Sequence, residues 1–479
     1  MASFQTKRLA GRGRCALASR TFSPGEVVLE EDAWAVVLLP DQQGLRCDYS
    51  LTCLEKLLRC PSTGLCFASK EDQKAAADLY YKAELEVAAA RSKVPGANVA
   101  GAAPWCWPSH LRLAWRVLQR GAKSREQPWL NLESHWDELS ESQQCDMETS
   151  AARCLDVLAA SLGILDLEEA APEARQNFQA VADLGDVARL VAAMEVNAMT
   201  VTDEELREIA LGLYIHAAVF NHDEEPNCIQ SFVGRRVVIR TIREVFEGEE
   251  LCLAYAEIGQ LSRVRHGNLW KHFHFRAFKT PQVEKRDGIL SCVLAAPDWQ
   301  PVEHGVGWDP DQGVLEEGAA PDALAFLKEV HHCWSEAKWQ KAWKEATAGP
   351  TFRLGAGHAL RLALARELMD EAVSQEQWSE ALAFAREVCS CHQLIYPSGW
   401  PVVSLGWARL AKLELYHGHF DATMRCCQEA LSGAPYLWED RPVAGEEVRQ
   451  MLSQARLEAQ AASWQGGYQA LTGPKAWNI

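Results

Sequence analysis

A chain of 479 residues, 48% of them hydrophobic and 24% charged, is long enough for several cores and reads as globular rather than fibrous or disordered. A formal net charge of -17 argues against general nucleic-acid binding, which needs Lys and Arg to neutralise phosphates, and favours a basic partner. No apolar stretch follows "MASFQTKRLAGRGRC" and no apolar run reaches about 18 residues, so neither a secretory signal nor a spanning helix is expected. The 16 cysteines then read as reduced thiols of cytosol or nucleus.

Residues 4–39 are predicted to be β-rich: "GEVVLEEDAWAVVLL" joins two β-branched runs, and the turn "SPGE" at 23–26 opens the first. Residues 47–85 place Cys47, Cys53, Cys60 and Cys66 ahead of an Ala- and Lys-rich helical stretch. The Gly, Pro and Ala content of "KVPGANVAGAAPWCWP", 93–108, marks a linker. From there to about residue 196, apolar residues spaced by three and four predict helices, as in "HLRLAWRVLQR" and "METSAARCLDVLAASLGIL". The acidic insert of "AVFNHDEEPNC", 218–228, taken alone is a solvated turn. Strand structure returns at "SFVGRRVVIRTIREV", 231–245, where Val237, Ile239 and Thr241 alternate with Val238, Arg240 and Ile242 as in a partly buried strand. A second linker, 302–323, leads into a region expected to be wholly helical. There "EQWSEALAFAREVCSCH" and "GHFDATMRCCQEALSG" each follow an aromatic residue with Asp/Glu and Ala, about forty residues apart, which suggests stacked helix pairs of the tetratricopeptide kind. The 18 tryptophans are scattered and read as packing residues.

Order gives the acidic insert a meaning. "GRGRCALASRTFSPGEVV" comes first, then "VNAMTV" at 196–201, "GLYIHAAVFNHDEEPNC" at 212–228, "GRRVVIRTIREVFEGEELCLAY" at 234–255 and "LWKHFHF" at 269–275. This succession resembles the SET-domain lysine methyltransferases, specifically the SET and MYND domain (SMYD) family. The resemblance implies an α+β chain: a split β-rich SET domain with a helical insert and a degenerate MYND module, followed by an all-α tetratricopeptide-like C-terminal domain. It also implies S-adenosyl-L-methionine as cofactor, cupped by a loop that falls on Arg12, Gly13 and Arg14. Glu133 and His135 of "LESH" match pocket-lining positions, as does Asn197 of "NAM". Asn221 and His222 match the pair that sits on the adenosyl group, and Phe275 an aromatic near the adenine. Tyr255 matches the tyrosine of the methyl-transfer channel and is the expected catalytic residue.

The zinc chemistry of the family departs here. A MYND module needs eight Cys/His ligands in paired spacings, since each tetrahedral zinc takes four. Cys47 and Cys60 are kept, while Ser50, Thr63, Ala68, Asp72, Tyr80 and Glu84 stand at the other ligand positions. Cys53 and Cys66 are out of register; the four cysteines are either free thiols, the expected reading, or a single four-cysteine zinc site. The post-SET zinc is also not expected: Ala277, Lys279 and Gln282 replace three of its cysteines and Glu224 the fourth. Phe273 stands where the family often has a second channel tyrosine, Cys15 where it has a glycine, and Asp223 where it has a serine.

The resemblance divides the chain into 1–46 (SET, first part), 47–90 (MYND-like), 91–196 (helical insert), 197–258 (SET core), 259–300 (post-SET-like), 301–322 (linker) and 323–479 (helical). The leading expectation is a protein-lysine N-methyltransferase acting on a basic peptide segment, cytoplasmic or nuclear and monomeric. Neither nucleic acid nor membrane is an expected direct partner. Two alternatives stay open: a non-catalytic SET scaffold for protein–protein interaction, and a chain whose function lies in protein partners of its C-terminal helices.

Overall fold

The N-terminal strands Phe4–Leu9 and Gly13–Ala18 pair antiparallel, from Phe4 opposite Ala18 to Leu9 opposite Gly13. The computed structural model to which they belong describes residues 3–92, 106–164, 168–260, 262–273, 281–286, 289–294, 314–315, 326, 329–330, 332–349 and 353–472. Further small sheets follow. Val27–Asp32, Arg236–Thr241 and Cys228–Val233 form one, and Ala35–Leu38, Glu208–Leu213 and Ala198–Thr202 another. Asn221–His222 pairs in parallel with Cys252–Leu253. Side chains of these strands and of the residues flanking them, among them Phe22, Val36, Phe220, Val237, Ile239 and Leu251, close one core.

The expected strand at 231–245 is a hairpin, Cys228–Val233 and Arg236–Thr241, turning at Gly234 with φ +57°. Both faces of its second strand are covered. Val237 and Ile239 point into the SET-side core and Val238 on the other face is buried too, while Ile229 of the first strand and Ile242 just past the second join the core of the C-terminal helices. On the second strand Arg240 is held by Asp440 at 2.8 Å. Apolar residues at neighbouring positions therefore mark a strand between two layers, not a half-solvated one.

Residues 47–92 form a small module around Leu65, Phe67, Ala76, Tyr80 and Tyr81. The expected Ala- and Lys-rich helical stretch is not one regular α-helix: a wider turn, Ala77–Tyr81, interrupts it, and both of its tyrosines are buried. Beneath it Arg116 from helix Ser109–Ser124 bridges Asp48 at 2.7 Å and Glu84 at 2.8 Å, all three buried. Burial alone would raise the Asp48 carboxyl, but the charges of Arg116 and Arg112 outweigh it and hold it below the usual carboxylate range. Helices Glu141–Ser161 and Leu184–Asn197 pack on Ser109–Ser124 through Trp115, Leu158 and Val191. A Ser140–Gln143 capping box starts the first of them. Residues 93–105, most of the first expected linker, lie outside the described residues.

Helices Ala359–Ser374, Trp378–Ile395, Pro401–Tyr416 and Phe420–Gly433 pack each on the next, and Pro442–Thr472 packs on the last of these. The region past residue 323 is not wholly helical. Arg353–Leu354 pairs with Ile289–Leu290, and Val314–Leu315, inside the second expected linker, pairs with Gln282–Val283. Both short strands complete the edges of the hairpin Pro281–Arg286 and Ile289–Leu294, whose outer N–H and C=O groups need partners. At the junction with the SET core, Tyr396 donates its hydroxyl to Glu257, and a Cβ at Gly259 would run into that hydroxyl.

Candidate active site

A cavity of about 800 Å³ opens where the two parts of the SET core meet the helical insert. It is lined by Arg12, Gly13, Arg14, Glu133, His135, Asn197, Asn221, His222, Tyr255 and Phe273. Phe275 lies outside the described residues.

The first wall is the tight connection between the two N-terminal strands. Gly11 and Gly13 take φ of +73° and +69°, and a Cβ at either would meet nothing within 4 Å, so their need is conformational, not steric. Arg12 Nε lies 2.8 Å from Glu250 Oε2. Burial works against the Arg12 charge, but the hydrogen bond and charge of Glu250 outweigh it and raise its pKa. Arg14 shifts the other way, lowered by burial against the opposing charge of Glu133.

Glu133 and His135 sit between helices, where the backbone is held in an unusual shape. His135 has φ +47°, rare for a non-glycine residue, and its amide and that of Ser134 donate to Glu133 Oε1 at 3.2 and 3.1 Å. Asn197, at the end of helix Leu184–Asn197, donates from Nδ2 to Glu133 O at 2.7 Å and Ala193 O at 2.8 Å. That amide ties the end of this helix to the segment that carries Glu133 and His135.

Asn221 spends its side-chain amide on the loop: Nδ2 is 3.0 Å from the carbonyl oxygens of Arg12 and Arg14, and 2.9 Å from Glu250 Oε1. His222 is turned toward Tyr255, whose backbone N–H donates to its Nδ1 at 3.1 Å. Tyr255 donates its hydroxyl to Phe220 O at 2.7 Å, and Phe273 packs on its ring with centroids 4.7 Å apart. Burial, with the nearby Cys252, pushes the Tyr255 hydroxyl well above its usual range, so it stays protonated at neutral pH. Below this floor Asn227 accepts the Cys252 N–H at 2.8 Å and donates to Glu250 O at 2.7 Å, which locks the two chain segments together.

Glu250 and Glu224 escaped the sequence reading as site residues. Glu250 stood in the quoted "GEEL" and serves both Arg12 and Asn221; Glu224 was visible only as a replaced cysteine. Among the described residues no three His, Cys, Asp or Glu side chains gather as a metal site, and no helix is long and apolar enough to cross a membrane.

The SET domain model matches residues 13–256, about half of the chain. The chain belongs to the SET-domain family. Histone-lysine N-methyltransferase SMYD3 of Mus musculus is 23% identical over 420 residues, covering 87% of this chain and 89% of its own. SMYD3 of Homo sapiens is also 23% identical, over 428 residues with the same coverage. N-lysine methyltransferase SMYD2-B of Xenopus laevis is 23% identical over 421 residues, covering 85% and 88%. Similarity that runs through both the SET domain and the C-terminal helices puts the chain in the SMYD group of SET methyltransferases.

Proposed function

We propose that this SET chain is an S-adenosyl-L-methionine-dependent protein-lysine N-methyltransferase acting on a basic segment of a protein substrate. The observation that carries the reading is a single cavity that gathers two arginines, Glu133, Asn197 and the Asn221–His222 pair, with Tyr255 at one side. Its volume of about 800 Å³ falls in the range of small-molecule pockets, roughly 300–1,000 Å³. Cations at Arg12 and Arg14 and anions at Glu133 and Asp223 suit a ligand that carries both a carboxylate and positive groups, as this cofactor does. When bound, S-adenosyl-L-methionine supplies a methyl group that passes to a lysine nitrogen by direct displacement.

The protein's share of such a reaction is orientation and exclusion of water. The attacking amine must be neutral, which at pH 7 costs roughly 4–5 kcal/mol from an ordinary lysine pKa. The rings of Phe273 and Tyr255 lower that cost by disfavouring the ammonium form. With its proton committed to Phe220 O, the Tyr255 hydroxyl oxygen would meet a substrate amine as an acceptor. It aligns an amine and needs no ionisation.

The net charge of -17 draws a basic substrate by long-range attraction, and the C-terminal helices offer surface for protein partners. The reading keeps the division set out above, with 47–90 as a MYND-derived module and 323–479 as a tetratricopeptide-like domain, in a monomer of the cytosol or nucleus. The test is calorimetric titration of the purified chain with S-adenosyl-L-methionine, followed by methyl transfer to an array of lysine peptides. Binding with transfer supports the reading. Binding without transfer to any peptide favours the non-catalytic scaffold, and no binding removes the methyltransferase reading.

A further inference from the structure

The helix Ser262–Phe273 reaches the cavity wall at one end and the loop after His222 near the other. At its far end Phe273 packs on Tyr255. Arg265, the fourth residue of the helix, is buried, 4% exposed, and reaches the loop that follows His222. Its Nη2 lies 2.8 Å from Glu224 Oε2, its Nε donates to Glu224 Oε1 at 3.3 Å, and its Nη1 donates to Ile258 O at 2.9 Å. Glu224 is equally enclosed, and its Oε1 stands 3.4 Å from His222 Nε2. On the other side of the imidazole, Tyr255 N–H donates to Nδ1. A donor at Nδ1 requires that nitrogen to be bare, so the proton of the neutral ring sits on Nε2 and faces the carboxylate. One line of contacts therefore runs Arg265, Glu224, His222, Tyr255.

We infer that Glu224 and Arg265 are positioning residues for the transfer site. The pair sets the tautomer and tilt of His222, and through it the backbone of Tyr255, while holding the Phe273 helix as a wall of the cavity. Glu224 occupies the loop position of a zinc-binding cysteine in the resembling family, so an ion pair here fastens loop to helix without metal. A buried pair of this kind commonly adds little stability over apolar residues of the same volume, because desolvation offsets the attraction. Its contribution is geometric, and the inference rests on the methyltransferase reading above.

The double variant Glu224→Leu with Arg265→Met removes both charges together and leaves neither unpaired. It should melt near the wild-type temperature, lower kcat for methyl transfer at least tenfold, and change KM for S-adenosyl-L-methionine by less than threefold. Hydrogen exchange supplies a readout that needs no catalysis. The Tyr255 amide and the 262–273 helix should exchange at least tenfold faster in the double variant, with Arg236–Thr241 unchanged. Unchanged exchange, or equal kcat in the two proteins, overturns the inference. If wild type transfers no methyl to any peptide, the methyltransferase reading fails by itself and exchange alone decides whether the pair positions Tyr255. Should the double variant not fold, Glu224→Gln replaces it: lower kcat with KM held supports the inference, and an unchanged kcat overturns it.

Discussion

At the scale of single residues, the two side chains closest to the proposed chemistry both spend their polar groups on the protein. Asn221 holds the Arg12–Arg14 loop by its carbonyls, so Asn221→Ala should weaken S-adenosyl-L-methionine binding through loop geometry while the fold persists. Loss of such buried bonds costs about 1–3 kcal/mol, roughly a 5- to 150-fold rise in Kd by calorimetry; equal affinity would contradict the placement. Tyr255→Phe removes the hydroxyl but keeps the ring on Phe273. Methyl transfer should fall roughly 10²-fold, the scale of losing one oriented group, with cofactor affinity little changed. The Phe220 carbonyl also loses its donor, so a calorimetric scan should show a loss of about 1–3 kcal/mol. A variant as active as wild type on the same peptides would remove Tyr255 from the mechanism.

At the scale of elements, the 47–92 module shows what can stand where zinc ligands stood. Ser50 Oγ donates to Asp72 Oδ2 at 2.7 Å and the Cys47 thiol to the same oxygen at 3.1 Å. Tyr80 donates to Asp48 O, and Glu84 anchors Arg116. These five positions now bond within the module or to the insert. Cys47, Cys60 and Cys66 are buried but Cys53 is exposed. Metal analysis of the purified chain should therefore find well under one zinc, and a chelator should leave melting and circular dichroism unchanged. One zinc per chain, released with loss of structure, would instead establish the four-cysteine site.

At the scale of the whole molecule, the C-terminal helices carry an acid-sensitive element. His358 is fully enclosed and caps helix Ala359–Ser374 by accepting the Leu360 N–H on Nδ1 at 3.1 Å. Burial pushes its pKa down to about 4; burial, reinforced by Arg366 and Arg409, takes His392 to about 3. Both rings are neutral in the fold, whereas the unfolded chain protonates them near pH 6.5. Their contribution is full above that pH and is lost as pH falls toward 4 for His358, by roughly 3 kcal/mol, and toward 3 for His392. The melting temperature should fall over this window, and less steeply in His358→Asn, which keeps a capping side chain. Parallel pH profiles for the two proteins would refute it.

By itself the sequence determined the family, through motif order, and which residues reach one cavity: Arg12, Asn197, Asn221, His222 and Tyr255 sit in local patterns that a single chain displays. Tertiary structure alone decided what those side chains face. Periodicity reports that Ile229 and Ile242 are apolar, but not that they belong to a different core from Val237 and Ile239, because burial by either layer leaves the same pattern. Nor does local sequence pair Glu224 with Arg265, or Arg240 with Asp440. An ion pair is chosen by distance and desolvation, and those exist only once the chain has folded.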